Sequence, residues 1–233
     1  MPPAIGALRR WWPTTQSIDL VEGSVAAVAE AVLAEFTRFS SGQQISAEWV
    51  RFRDFDEACG SAPGFSNVVT FALVLPTRSR WCAIWNNSFL CSGYDSLCWR
   101  LTSHHKLTTL HWSAHDGWTT FQSGTSFTFR RNCDGSLVER SVAAIQEDSK
   151  WVFHAVGPAL EEEDLSVYAR KRKRDRLNES EMMSLLGRLG AYPWAEEFYA
   201  LPEQECFVIS RHLPATAAPL RSREEVIRPP AAG

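Results

Sequence analysis

Histidine and cysteine crowd one stretch of this 233-residue chain. His104, His105, His111 and His115 are followed by Asp116, with Cys91 and Cys98 just upstream. Imidazole, thiol and carboxylate are the groups of nucleophilic and general-base catalysis and of zinc coordination. A Cys–His pair needs only to meet in space, and His111 with Asp116 could form a base and its orienting carboxylate. Against this, no CxxC pair and no HExxH is present. Zinc sites depend on such close pairs. Cys98 falls on the apolar stripe of a helix, where a buried thiol is the simpler account. His115-Asp116-Gly117 reads equally well as a turn between strands. There is no Gly-rich phosphate loop, no GxGxxG and no GxSxG. Those are the motifs that would declare nucleotide or hydrolase chemistry. No metal and no organic cofactor is expected, and a small enzyme built on 104–116 stands as the alternative to a binding role.

Acidic and aromatic residues suggest binding. Asp54, Asp56 and Glu57 follow a strand carrying Trp49, with Phe52 and Phe55 interleaved. Aromatics anchor protein interfaces, and charge speeds encounter with a basic partner. Trp49, Asp54, Phe55, Asp56 and Glu57 are therefore candidate contacts. Glu161, Glu162, Glu163 and Asp164 form a second acidic candidate. The basic run Lys171–Arg174 could touch nucleic acid. The EEED run opening the same segment balances it, and the chain's net charge is −3. A nucleic-acid footprint would be clearly basic.

The elements that must position these residues can be read from periodicity. Ser24 can cap a helix in which Val25, Val28, Val32, Phe36 and Phe39 form one stripe. NVVTFALVL (67–75) is a continuous apolar run, the pattern of a strand buried on both faces. In RWCAIWN (80–86), Trp81, Ala83 and Trp85 oppose Cys82 and Ile84. Tyr94, Leu97, Cys98 and Leu101 share one face of a second helix, with Ser92 at its start. Strands follow at 107–113, 119–130, 136–145 and 150–156, with Asn132-Cys133-Asp134-Gly135 as a tight turn. A helical segment runs from Glu161 into RKRKRDR, with acids at its start and bases at its end. Asn178 and Glu181 cap another helix, ended by Gly190. ECFVISR (205–211) reads as a last strand.

Strand runs beside segregated helices mean an α+β fold. The expectation is a mainly antiparallel sheet with an N-terminal helix, one embedded helix and a helical C-terminal part. Residues 1–17 read as an irregular arm, 18–212 as one domain, and 213–233 as a disordered tail rich in Pro, Ala and Arg. Arg9-Arg10 precede WWPTTQSID rather than an apolar run, so no export leader is expected. The apolar stretch Val25–Phe36 is interrupted by Glu30 and Glu35 and is too short for a bilayer. A cytoplasmic setting follows, with no membrane partner and with the six cysteines reduced and mostly buried. Ten tryptophans are present. Trp11 and Trp12, outside any periodic segment, are the ones expected to be exposed.

The stretch NVVTFALVLPTRSRWCAIWNNSFLCSGYDSLCWRLTSHHKLTTLHWSAHD, with the later YPWAEEFYALPEQECFVISR, resembles immunity proteins of bacterial polymorphic-toxin systems. Together the two cover about a third of the chain. The likeness lies in a Trp-rich α+β texture and in segments such as WNNSFLCSGYDSL. It implies a non-enzymatic protein that binds a cognate toxin and blocks its active site. It implies no catalytic residues.

Overall fold

Two short runs, FALVLP and WCAIWN, are buried along their whole length. Strands that read apolar at every position need cover on both faces, and they form the middle of the fold. The computed structural model describes residues 11, 14–39, 42–89, 95–116, 123–213 and 220–226. Its strands are β1 (Ser17–Glu22), β2 (Ile45–Val50), β3 (Phe71–Pro76), β4 (Trp81–Asn86), β5 (Thr109–Asp116), β6 (Ser123–Cys133), β7 (Ser136–Glu147), β8 (Lys150–Val156) and β9 (Cys206–Arg211). Its helices are α1 (Val25–Phe39), α2 (Phe55–Gly60), α3 (Asp95–His105), α4 (Glu179–Arg188) and α5 (Arg223–Val226). The strands form one sheet in the order β2-β9-β3-β4-β1-β5-β6-β7-β8. Every strand pairing in it is antiparallel. The fold is α+β, as the pattern predicts.

The pleat divides the apolar side chains between two cores. Ile18, Leu20, Leu73, Leu75, Trp81, Trp85, Leu110 and Phe127 face one way, against α4 and the loops around Trp194–Tyr199. Val21, Val74, Cys82, Ile84, Phe207 and Ile209 face the other, against α1 and α3. The alternation predicted for Trp81–Ile84 is the one observed.

The chain departs from the expected order at its start. Its first described element is strand β1, not a helix, and β1 sits between β4 and β5. Its alternation is masked because Asp19 occupies an inward position and is completely buried. Strand β3 begins at Phe71 rather than near residue 67. The reason is Asn87, whose Oδ1 accepts the N–H groups of Thr70 and Phe71 at 3.0 Å each. Its amide nitrogen donates to the Gly64 carbonyl and to Thr70 Oγ1, both at 2.8 Å. This buried amide thus takes the hydrogen bonds a longer ladder would need.

The segment expected to be one helix from Glu161 to Arg176 forms only two 3-10 turns, Leu165–Ala169 and Lys173–Asp175. No 3.6-residue apolar stripe runs through it, so a long helix there would have nothing to bury. His115 and Asp116 belong to β5 rather than to a turn. Trp11 is 1% exposed, contrary to expectation. Trp12, Cys91, Ser92, Tyr94 and Gly117 lie outside the described residues. Within 213–233, Arg221 pairs with Phe65 and Arg223 sits 3.9 Å over the Trp11 ring. Among the described residues no helix is long and apolar enough to cross a membrane.

Candidate protein-binding face

Glu35 is the centre of this face. It falls on the inner stripe of α1, three residues after Val32, and its side chain is 0% exposed. A carboxylate there needs partners, and α3 supplies them. His104 Nδ1 and His105 Nε2 each approach Glu35 Oε1 to 3.0 Å. Arg38 Nη1 lies 3.5 Å from the same oxygen, and Arg100 Nε 3.5 Å from Oε2. Burial pushes the Glu35 pKa up. The two histidine hydrogen bonds and the Arg38 charge outweigh that, and the net pKa falls below the ordinary 4.5.

His104 Nδ1 is also 2.8 Å from Arg38 Nη1. It can serve one neighbour at a time. Protonated, it donates to Glu35; unprotonated, it accepts from Arg38. Basic side chains gather here for a second reason. Arg38, His104 and His105 occupy the last turns of their helices, where the dipole favours positive charge.

Around this node the aromatics are exposed. Phe39, the last residue of α1 and expected to point inward, is 51% exposed. The Arg100 guanidinium stacks 4.0 Å over its ring. On α3, Leu97, Cys98 and Leu101 take the inner side. Trp99 is left 45% exposed, edge-on to His104 at 5.9 Å. Trp49 is 45% exposed on the edge strand β2 and packs on Phe207 at 4.9 Å. Phe207 belongs to the core under α1, so all three aromatics lie on the helix side of the sheet.

The other predicted contacts lie elsewhere. Phe55 is buried against Tyr199. Asp54 caps α2, accepting the Glu57 N–H at 2.8 Å. Glu57 in return accepts the Arg53 N–H at 2.6 Å. Asp56 accepts the Trp11 indole N–H at 2.7 Å. These acids hold a short helix and a tryptophan in place. In the second group, Glu163 is buried and pairs with Arg140 at 2.7 Å. Asp164 caps the first 3-10 turn through Ser166 at 3.0 Å. Glu161 is exposed and Glu162 half-buried. Arg140 lies on β7, near the opposite edge of the sheet from β2. The two acidic groups therefore do not form one surface.

The histidine cluster also separates. His104 and His105 go to Glu35, whereas His111 Nδ1 meets Asp19 Oδ1 at 2.6 Å. Burial alone would lower the His111 pKa; the Asp19 charge and hydrogen bond raise it, and the net shift is upward. The Asp116 side chain is outside what the structure describes. His111 and His115 are four residues apart, a ligand spacing on a helix. On strand β5 that spacing puts them ~13 Å apart. Cys98 is completely buried, and burial with the nearby Asp19 charge pushes its thiol well up. Burial likewise pushes Cys82 and Cys206 up to about 12. Activated thiols are shifted the other way. Among the described residues, no group of three His, Cys, Asp or Glu side chains is placed to hold a metal ion.

Sequence reasoning passed over Glu35, Arg38 and Arg100. The signal for Glu35 was an acidic residue on an apolar helical stripe, a position that demands a partner. Set against protein-family models, curated proteins and solved structures, the chain matches none of them.

Proposed function

We propose that this chain is a non-enzymatic binding protein of the toxin-immunity kind, and that it holds its partner protein on the α1–α3 face. One observation carries the reading. Phe39 and Trp99 are exposed side by side with Arg100, Arg38 and His104, on a platform fixed by the buried Glu35. Tryptophan and arginine dominate interface hot spots, and rings already held in place lose little entropy on binding. Trp49 extends the same side of the sheet. The resemblance to immunity proteins supports the same reading and supplies the partner, a cognate toxin whose active site is blocked. The protein acts where it folds, in the cytoplasm.

The test is affinity capture from the native host, followed by co-expression of the captured protein with and without this chain. The reading expects one stoichiometric partner whose toxicity the chain suppresses. A well-folded sample that captures nothing, or a partner whose toxicity is unchanged, defeats it.

A second reading, an enzyme using the 104–116 region, draws on the His111–Asp19 pair, which has the geometry of a base and its orienting carboxylate. Replacing His111 by Gln would abolish such an activity. An activity that survives the replacement removes this reading.

A further inference from the structure

The sheet ends at β8, and among the described residues that edge is open. Strand β8 pairs with β7 alone, from Glu147↔Lys150 to Ser141↔Val156. The segment that follows folds onto one face of the strand rather than along its edge. Tyr168 packs on Phe153 at 5.1 Å, and Arg176 stacks 5.3 Å over the same ring. Among the described residues no backbone group of β8 bonds to anything but β7. Such an edge is a row of unpaired N–H and C=O groups, which natural proteins blunt with mid-strand charge, proline or a bulge. The other edge strand, β2, carries Glu48 within it and Arg51 just past its end. Strand β8 has no such guard. Its last six residues, WVFHAV, hold no Pro, Gly, Asp, Glu, Lys or Arg. A β-prone run of that length and low charge is a pairing segment when its edge is bare. His154, Ala155 and Val156 are exposed, Val156 at 67%.

The strand is complementary to itself. Two copies related by a two-fold axis normal to the sheet run antiparallel with the same faces up, the isologous arrangement of a closed dimer. Centred on Phe153, the pairing engages all seven residues of β8. Phe153 then meets Phe153 of the second copy, Trp151 meets Ala155, Val152 meets His154, and Lys150 meets Val156. An aromatic pair sits at the centre, the largest side chain faces a small one, and no like charges oppose. Moving the centre to Val152 sets Lys150 against His154, and moving it to His154 sets that histidine against its own copy; both shorten the overlap. We propose that this chain forms a two-fold dimer by antiparallel pairing of β8 with β8 of a second copy, joining the two sheets into one. A seven-residue strand is ~24 Å long, so the interface is small and the dimer weak and reversible.

Sedimentation velocity of the full chain from about 1 to 500 µM brackets a micromolar dissociation constant. The wild type is expected to pass from monomer to dimer within that range. Val156 is exposed, so its replacement leaves the fold in place, and thermal midpoints check this. Val156→Lys puts like charge opposite Lys150 at both ends of the pair, and Val156→Glu puts opposite charge there. Val156→Glu is expected to dimerise about fivefold or more tightly than Val156→Lys. A chain that is monomeric at every concentration overturns the inference. So does a dimer on which the two variants do not differ, because Val156 then does not face Lys150. Growth beyond the dimer overturns it too, since a closed two-fold pair uses up the β8 edge. None of these results touches partner capture through Phe39 and Trp99, which decides the binding reading separately.

Discussion

Asp19, Glu35 and Glu163 are each withdrawn from water, and each has a different solution. Asp19 meets one histidine, Glu35 two histidines and two arginines, and Glu163 a bidentate arginine. Arg140 Nε and Nη2 reach the two Glu163 oxygens at 2.8 and 2.7 Å. The Tyr168 hydroxyl and the Leu160 N–H donate to the same carboxylate. Removing one partner of such a pair strands the other charge. Arg140→Ala is therefore expected to cost about 3–5 kcal/mol in urea unfolding. A loss under about 1 kcal/mol would contradict the account.

The same residues set a pH profile. Glu35 and Glu163 both titrate below the ordinary 4.5 in the folded protein. Their contribution is full above that value and is lost as pH falls through the folded pKa. His111 titrates above the ordinary 6.5, so its contribution is full below 6.5 and is lost as pH rises through the raised value. Thermal midpoints should fall on the acid side below pH 4.5. His111→Gln should flatten the decline above pH 6.5. An alkaline limb identical in the wild type and His111→Gln would show that the Asp19 pair contributes nothing.

At the scale of elements, two glycines divide turn chemistry from close packing. Asp134 and Gly135 both have positive φ, 51° and 88°, and join β6 to β7 as a two-residue hairpin. Right-twisted strands favour such turns, and the sequence shows this one plainly. A Cβ at Gly135 meets nothing within 4 Å, so Gly135→Ala should cost only the backbone term, about 1–2 kcal/mol. Gly157, at φ 85°, closes β8, and a Cβ there would stand 1.9 Å from the Glu139 carbonyl oxygen. Gly157→Ala should cost about 3 kcal/mol or more. Chemical denaturation of the two variants compares them directly, and equal losses would refute the packing argument.

The contrast between local and distant constraints also explains what could be read in advance. The inner faces of α1 and α3, the Asn178 cap of α4 and the alternation of β4 rest on neighbours a few residues away, and the sequence displays them. Strand β1 was hidden because Asp19 breaks its pattern and is satisfied by His111, 92 residues on. The insertion of β9 between β2 and β3 joins segments far apart in the chain. The Glu35 node joins two helices, and neither stretch alone shows that its charges converge. The acidic runs were visible, but their use as caps and ion-pair partners was not. An aspartate before a helix looks the same whether it caps or waits for a ligand.

Across the whole molecule, eight strand spacings of ~4.8 Å, about 38 Å along the sheet, separate β2 from β8, so the proposed partner would engage one region of it. The proposed binding surface is the helix side of the sheet, where Phe39 and Trp99 are exposed with Arg38 and Arg100, and Trp49 lies on the same side at the β2 edge. On the proposed binding role, Arg38 and Arg100 predict an acidic partner surface and an association rate that falls as salt rises, with the aromatics holding the complex. Stopped-flow association across a salt series tests this, and a salt-independent rate would contradict it.

The most direct measurement is capture of the partner by three forms of the protein with matched thermal stability. They are the wild type, a Phe39→Ala/Trp99→Ala double variant, and Leu165→Ala, which changes an exposed apolar residue outside this face. The account predicts a single stoichiometric partner on the wild type and on Leu165→Ala. It predicts weakening on the double variant of about 2 kcal/mol or more, roughly 30-fold. Equal capture by all three forms would show that the α1–α3 face is not the binding surface.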